Sequence, residues 1–320
     1  MSDESARGVP VGADTDADAS GVSGGVHERL RAFVQRHKSE SYAGYILAGP
    51  YLLYMGLFFL IPVGYMFAVS FFQNVPNATM TPGFTLENYV KVFTTPLYTN
   101  TLYTTVEISV VSTLFTIVVS YPIAYFIVFS NWAYSKALVL LVIAPLLVGN
   151  VVRAFGWFAL MGSSGALNTL LGVFGLRYTL LNTKPGLVVA ISSVLMPFAI
   201  LILMSVLYTI DEEIVEAAYN LGGNRLQTFV YVTLPLSAPG VVGATLISFV
   251  LTMGTFATAQ FIGMPQVPML APFIYSVANT DLNWPLGAAM SFVLLGVSLL
   301  LVWLYTRVTS LQHESDGGAI

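Results

Sequence analysis

Residues 211–240 read DEEIVEAAYNLGGNRLQTFVYVTLPLSAPG, a polar stretch between two long apolar segments. Asp211 is placed to cap a helix whose first turn holds Glu212 and Glu213, both favourable at a positive helix end. Glu216, Ala217 and Ala218 continue that helix, and Leu221-Gly222-Gly223 supplies the left-handed residue that ends it. Asn224, with Gln227 three positions later, forms a capping box for a second helix, Arg225 to about Tyr231, which exposes Phe229 and Tyr231 beside Leu226. Pro235 and Pro239 then stop that helix and allow a turn back into apolar chain. Two short helices joined by a sharp bend and returned to lipid make a unit built to be held by another protein.

Composition sets the solvent. Hydrophobic residues make up 56% of the 320 positions and charged residues only 9%, where a soluble domain carries roughly 25% charged positions. The chain is an integral membrane protein. Seven of the sixteen acidic residues fall in the first forty positions, so the net charge of -4 says little about partners. No basic patch suggests nucleic acid. Cysteine is absent, which removes disulfides, thiolate catalysis and cysteine-based metal sites. His27, His37 and His313 lie in polar ends, so no intramembrane histidine site for a metal or a hydrolytic centre can be assembled.

Six windows are long and apolar enough to cross a bilayer: 45–72, 105–129, 137–161, 186–210, 241–261 and 286–305. The first is too long and too far from the start to be the core of a cleavable signal peptide. An even number of spans puts both termini on one side. With that side cytoplasmic, Arg7, Arg29, Arg31, Arg36, Lys38, Lys136, Arg225 and Arg307 are inside and only Lys91, Arg177 and Lys184 outside, as the positive-inside rule favours. The expected organisation is an all-α, six-span membrane domain over 42–308, with the loop 211–240 cytoplasmic. A polar tail, 1–41, carries a short basic helix near 28–38 and reads otherwise as disordered; a cytoplasmic tail, 309–320, follows the domain. The external connections are longer, and the second carries an apolar patch, Ala166 to Leu176, suited to an interfacial helix. Together they can cap the bundle or dock an external partner.

The loop carries a resemblance. Glu216-Ala217-Ala218, then Gly222 after three residues, then Val232, Leu234 and Pro235, resembles the EAA loop of ABC importer permeases, the binding-protein-dependent transport family. The segments FTLENY (84–89), VVRAFGW (151–157) and NWPLGAA (283–289) look like the spermidine/putrescine subgroup. Two departures are the long tail and Val232 in place of the family's isoleucine. The resemblance implies a type I ABC importer permease in the cytoplasmic membrane, working by alternating access beside a second permease, homologous or identical. Two ATPase subunits and an external solute-binding protein complete the implied assembly. It implies that Glu216 pairs with a basic residue of the ATPase, that Ala217 and Ala218 sit against its surface, that Gly222 forms the bend, and that Leu234 and Pro235 close the coupling loop. The chain itself has no G-x-x-x-x-G-K-[ST] loop and no lysine after Lys184, so ATP and magnesium belong to a partner and this subunit needs no cofactor.

Charges inside spans are costly and mark functional hypotheses. Glu107 lies near the outer end of the second span and Arg153 deeper in the third; adjacent antiparallel helices can bring them together, as a structural ion pair or as lining of the translocation path. Trp157 follows Arg153 by four positions and shares its helix face, whereas Trp132, Trp284 and Trp303 read as interfacial anchors. Pro122, Pro145 and Pro197 fall inside spans, with Gly149-Asn150 soon after Pro145, and bend helices or open the path. The competing class is a secondary transporter or channel, which would favour inverted repeats and several intramembrane carboxylates; neither is found. The resemblance favours a polyamine as cargo.

Overall fold

The computed structural model describes residues 49–75, 78–130, 135–173, 175 and 179–316; the expected tail 1–41 and Trp132 lie outside them. Helix α1 (Gly49–Val69) contains a wide turn at Gly56–Leu60. The chain divides into two compact units at Tyr65/Met66. In the first, the side chains from Tyr51 to Ile61 are mostly exposed apolar groups, the surface that lipid or another apolar partner covers.

A short antiparallel hairpin follows, β1 (Gln73–Val75) and β2 (Ala78–Thr81), with Val75 paired to Ala78. It is a β element that helical periodicity does not announce. Helix α2 (Glu87–Thr94) carries the second half of the FTLENY segment, and that segment works as a clasp. Phe84 stacks on Phe71 with centroids 5.1 Å apart. Asn88, buried, donates through Nδ2 to the carbonyls of Ser70 and Phe72 at 2.9 Å each, and the Tyr89 hydroxyl meets Ser70 Oγ at 2.7 Å.

Helix α3 (Pro96–Phe129) begins nine residues before the apolar window at Thr105. Proline at its first position fixes a helical φ without losing a needed donor, and a turn rich in threonine and tyrosine carries the helix out of the hydrocarbon. At 34 residues it is about 51 Å long, well beyond the ~30 Å apolar core. One face is a buried stripe of hydroxyls: Thr101, Thr105, Ser109, Ser112, Thr116 and Ser120. Thr101, Thr105, Ser109 and Thr116 each donate to the carbonyl four residues back, at 2.7–2.8 Å. Small side chains let the next helices approach closely.

The third predicted span is not one rod. Helix α4 (Ser135–Ile143) tightens into a 3₁₀ turn at Ala144–Leu147, and α5 (Asn150–Met161) leaves at 98°. Pro145 removes a backbone donor and Gly149, extended at ψ 145°, makes the corner. The apolar patch forms α6 (Ala166–Val173). Helix α7 (Lys184–Leu207) packs along α3; Thr183 caps it by accepting from Gly186 N at 3.2 Å.

The loop comprises α8 (Glu212–Asn220) and α9 (Arg225–Leu236), and α10 (Ala238–Met253) leaves α9 at 66°. Helix α10 starts earlier and ends earlier than the fifth window, and a wide turn at Ala259–Gly263 follows. Helix α11 (Leu270–Asn279) and the long α12 (Trp284–Asp316) complete the described chain. The last helix runs well past the window that ends at Tyr305, so much of the expected tail 309–320 is helical. Asn283 of the NWPLGAA segment caps α12 by accepting from Leu286 N at 3.1 Å. Among the described residues four helices are long and apolar enough to span, and six when each bent pair counts as one.

Candidate functional site

Two constellations lie toward opposite ends of α3. At its C-terminal end is the loop. In α8 Val215 is buried, anchoring the helix, while Ile214, Glu216 and Ala217 face outward. Asp211 occupies the cap position but its side chain makes no capping bond, so the helix start rests on Glu212 and Glu213 against the dipole. The helix ends as its residues demand: Gly222 sits at φ +90°, a conformation that favours glycine, and Gly223 N donates to Ala218 O at 3.0 Å. The capping box is present in full, with Gln227 N donating to Asn224 Oδ1 at 2.9 Å and Asn224 N to Gln227 Oε1 at 3.0 Å.

The second loop helix corrects two expectations. Phe229 does not stand free beside Leu226; it packs edge-on into Tyr121 and Tyr125 of α3, centroids 5.6 and 5.4 Å away. Pro235 does not itself stop the helix either; the turn comes after it, ahead of Pro239. Pro235 cannot donate to the carbonyl four residues back, and the wide turn Phe229–Thr233 immediately before it absorbs the mismatch, so the helix continues to Leu236. The bend comes at Ser237, whose Oγ lies 2.6 Å from the Tyr121 hydroxyl in a buried contact. Gly240 then lies so close to α7 that a Cβ there would come within 2.9 Å of Val206 Cβ.

Thus the loop is fastened from behind and open in front. Leu221, Leu226 and Tyr231 are 90%, 71% and 77% exposed, three uncovered apolar side chains on a polar loop. A cleft of about 760 Å³ runs between the end of α3 and the loop, with Glu212, Glu216 and Arg225 beside Tyr125, Phe129 and Tyr219.

Toward the other end of α3 the predicted trio divides. Arg153 and Trp157 share a face of α5 against α7: Trp157 Nε1 donates to Ser193 Oγ at 2.6 Å, and Arg153 donates through Nη2 to Asn150 Oδ1 at 2.7 Å, with a long contact of 3.5 Å to Val194 O. Glu107 does not join them. Both its carboxylate oxygens accept from Lys184 Nζ, at 2.8 and 2.7 Å. The corner at Gly149 explains the separation. It sets α5 against Ser193 and Val194, nine and ten residues along α7 from Lys184, roughly 13–15 Å away along the helix.

Lys184 and the Tyr121–Ser237 contact were missed in the sequence. Lys184 carried a signal, a Thr-Lys-Pro-Gly helix start opposite the one acidic residue of the second span. Tyr121 and Ser237, 116 positions apart, carried none.

A family model for the binding-protein-dependent transport system inner membrane component matches residues 101–311. The chain is 32% identical over 260 residues to the spermidine/putrescine transport system permease protein PotB of Haemophilus influenzae, covering 80% of this chain and 91% of that protein. It is 27% identical over 266 residues to PotB of Escherichia coli, covering 81% and 96%. Its fold is similar to a chain in the crystal structure of a bacterial ABC transporter involved in the import of the acidic polysaccharide alginate. The TM-score is 0.70 at 19% identity, over 88% of this chain and 98% of that one.

Proposed function

The chain belongs to the family of binding-protein-dependent transport system inner membrane components, and on that premise we propose that it carries a polyamine. It is the permease component of an ABC importer, a multi-pass protein of the inner membrane, and permeases of this family are not themselves catalytic. The observation that supports the cargo is the likeness to spermidine/putrescine permeases along four fifths of the chain.

In this reading the loop 211–240 faces the cytoplasm and docks into an ATPase subunit. Glu216 pairs there with a basic side chain, Ala217 and Ala218 lie flat against the partner, and Gly222 holds the bend. The geometry that supports it is the exposed front of the loop, Leu221, Leu226 and Tyr231, set on a back that is locked to α3 and α7. Leu234 and Pro235 close the loop onto that back. A second permease, alike or identical, completes the path, an external solute-binding protein delivers the cargo, and uptake proceeds by alternating access. Arg153 and Trp157 line the path from α5.

The test is reconstitution with the ATPase, the second permease and the solute-binding protein. Cargo-stimulated ATP hydrolysis and labelled putrescine uptake are expected in the unaltered protein and lost in Gly222→Asp and Glu216→Lys. Unchanged hydrolysis and uptake in both variants would sink the coupling role of the loop.

A further inference from the structure

We propose that Glu107 is an ammonium-binding site at the outer mouth of the path, and that Lys184 occupies it as an internal stand-in which the cargo displaces. The inference rests on the polyamine reading above.

Glu107 Oε1 and Oε2 are held by one primary ammonium on a four-carbon stem, at 2.8 and 2.7 Å. A terminal aminoalkyl group of a polyamine offers the same ammonium on the same kind of stem. Among the described residues of the spans Glu107 is the one carboxylate, so a cation that enters the spans of this chain meets no other.

The pair is accessible and the two partners are unequally fixed. Side-chain exposure is 50% for Lys184 and 32% for Glu107, and ion pairs this open to water gain little over their hydrated components, so exchange of one ammonium for another is close to balanced. Lys184 is the first residue of α7, after the capping Thr183, where a helix end is positive and a cation is out of place. Glu107 at the same end is favoured by that field. Of the two, the lysine is the labile partner, and its flexible stem can withdraw to water. Tyr103, one turn before Glu107 on the same face of α3 and 70% exposed, presents a ring to the incoming ammonium and its methylenes. Glu87, the other carboxylate in an ion pair outside the loop among the described residues, lacks this setting: it is held by Lys91 one turn away on a polar helix outside the spans.

Two measurements on the assembled transporter separate the cargo from the site. First, vesicles holding the unaltered protein take up labelled putrescine and not labelled molybdate; absence of putrescine uptake overturns the cargo reading itself. Second, the transporter is trapped with ATP and vanadate while putrescine-loaded binding protein is titrated, and retained label is counted. Glu107→Gln is expected to raise the half-saturating concentration roughly tenfold, the loss of one charge-assisted contact. Lys184→Gln is expected to lower it roughly threefold, because the competitor is gone, and Glu107→Asp is expected to retain most of the binding. Opposite signs for the two neutral substitutions are the signature. A merely structural pair moves both variants in one direction, and that result, or no change in Lys184→Gln, overturns the proposal even where Glu107→Gln fails to assemble.

Discussion

The two ends of α3 are joined to the rest of the protein by different kinds of contact. Toward its N-terminal end a carboxylate and an ammonium meet in half-open water, 77 residues apart in sequence. Toward its C-terminal end a phenol and a serine hydroxyl meet at 2.6 Å in a buried place, flanked by aromatic edges from Phe229. Charges in water trade partners at little cost, whereas a buried neutral bond has no water to trade with. The ion pair is therefore exchangeable, whereas the phenol contact, like the buried Leu270–Thr105 bond two residues from Glu107, is a fixed joint.

The comparison can be broken most forcefully at the joint. Tyr121→Ala removes the hydroxyl contact and the ring against Phe229, and is expected to cost about 3–5 kcal/mol, seen as a large drop in melting temperature of the purified protein. Gly240→Val forces a side chain against Val206 on α7 and is expected to cost about 1–3 kcal/mol through overpacking, with weaker assembly in the same measurement. Tyr121→Phe keeps the ring and loses only the hydroxyl, a change of about 1 kcal/mol; the sharper readout is uptake per ATP hydrolysed, which falls if the joint transmits motion of the loop. The smallest effect on stability belongs to Glu107→Gln, below about 1 kcal/mol. Raising salt should shrink that difference and leave the Tyr121→Phe difference intact, because only the open pair is screened. Equal salt sensitivity at both ends would erase the distinction.

What could be read from the sequence was local. The capping box joins residues three apart, Gly222 declares its own φ, and the EAA spacing lies within one loop, so each is legible from side-chain chemistry at short range. Hydropathy located the apolar windows but measures lipid, and a helix does not end where lipid does: α3 begins at Pro96 through polar turns that no apolar window includes. The sequence leaves the pairing of Glu107 with Arg153 open because the corner at Gly149 lies between them, and a 98° turn cannot be inferred from two residues whose composition also suits a mild kink. Phe229 is half-buried rather than exposed because Tyr121 and Tyr125, more than a hundred residues earlier, pack against its ring. The exposed fronts were legible and their anchored backs were not.

The hydroxyl stripe of α3 also bears on how the protein is made. Leu270, whose N–H comes to rest on Thr105 Oγ1 at 2.7 Å, lies 165 positions downstream. At the usual 5–20 residues per second, synthesis brings it roughly 8–33 s after Thr105. Through that interval α3 has no such partner in lipid, where an unpaired polar group is costly. Thr101, Thr105, Ser109 and Thr116 spend it bonded to carbonyls of their own helix. Those four hydroxyls can wait without help, and when Leu270 arrives Thr105 Oγ1 accepts a hydrogen bond from its N–H with a lone pair it had not yet used.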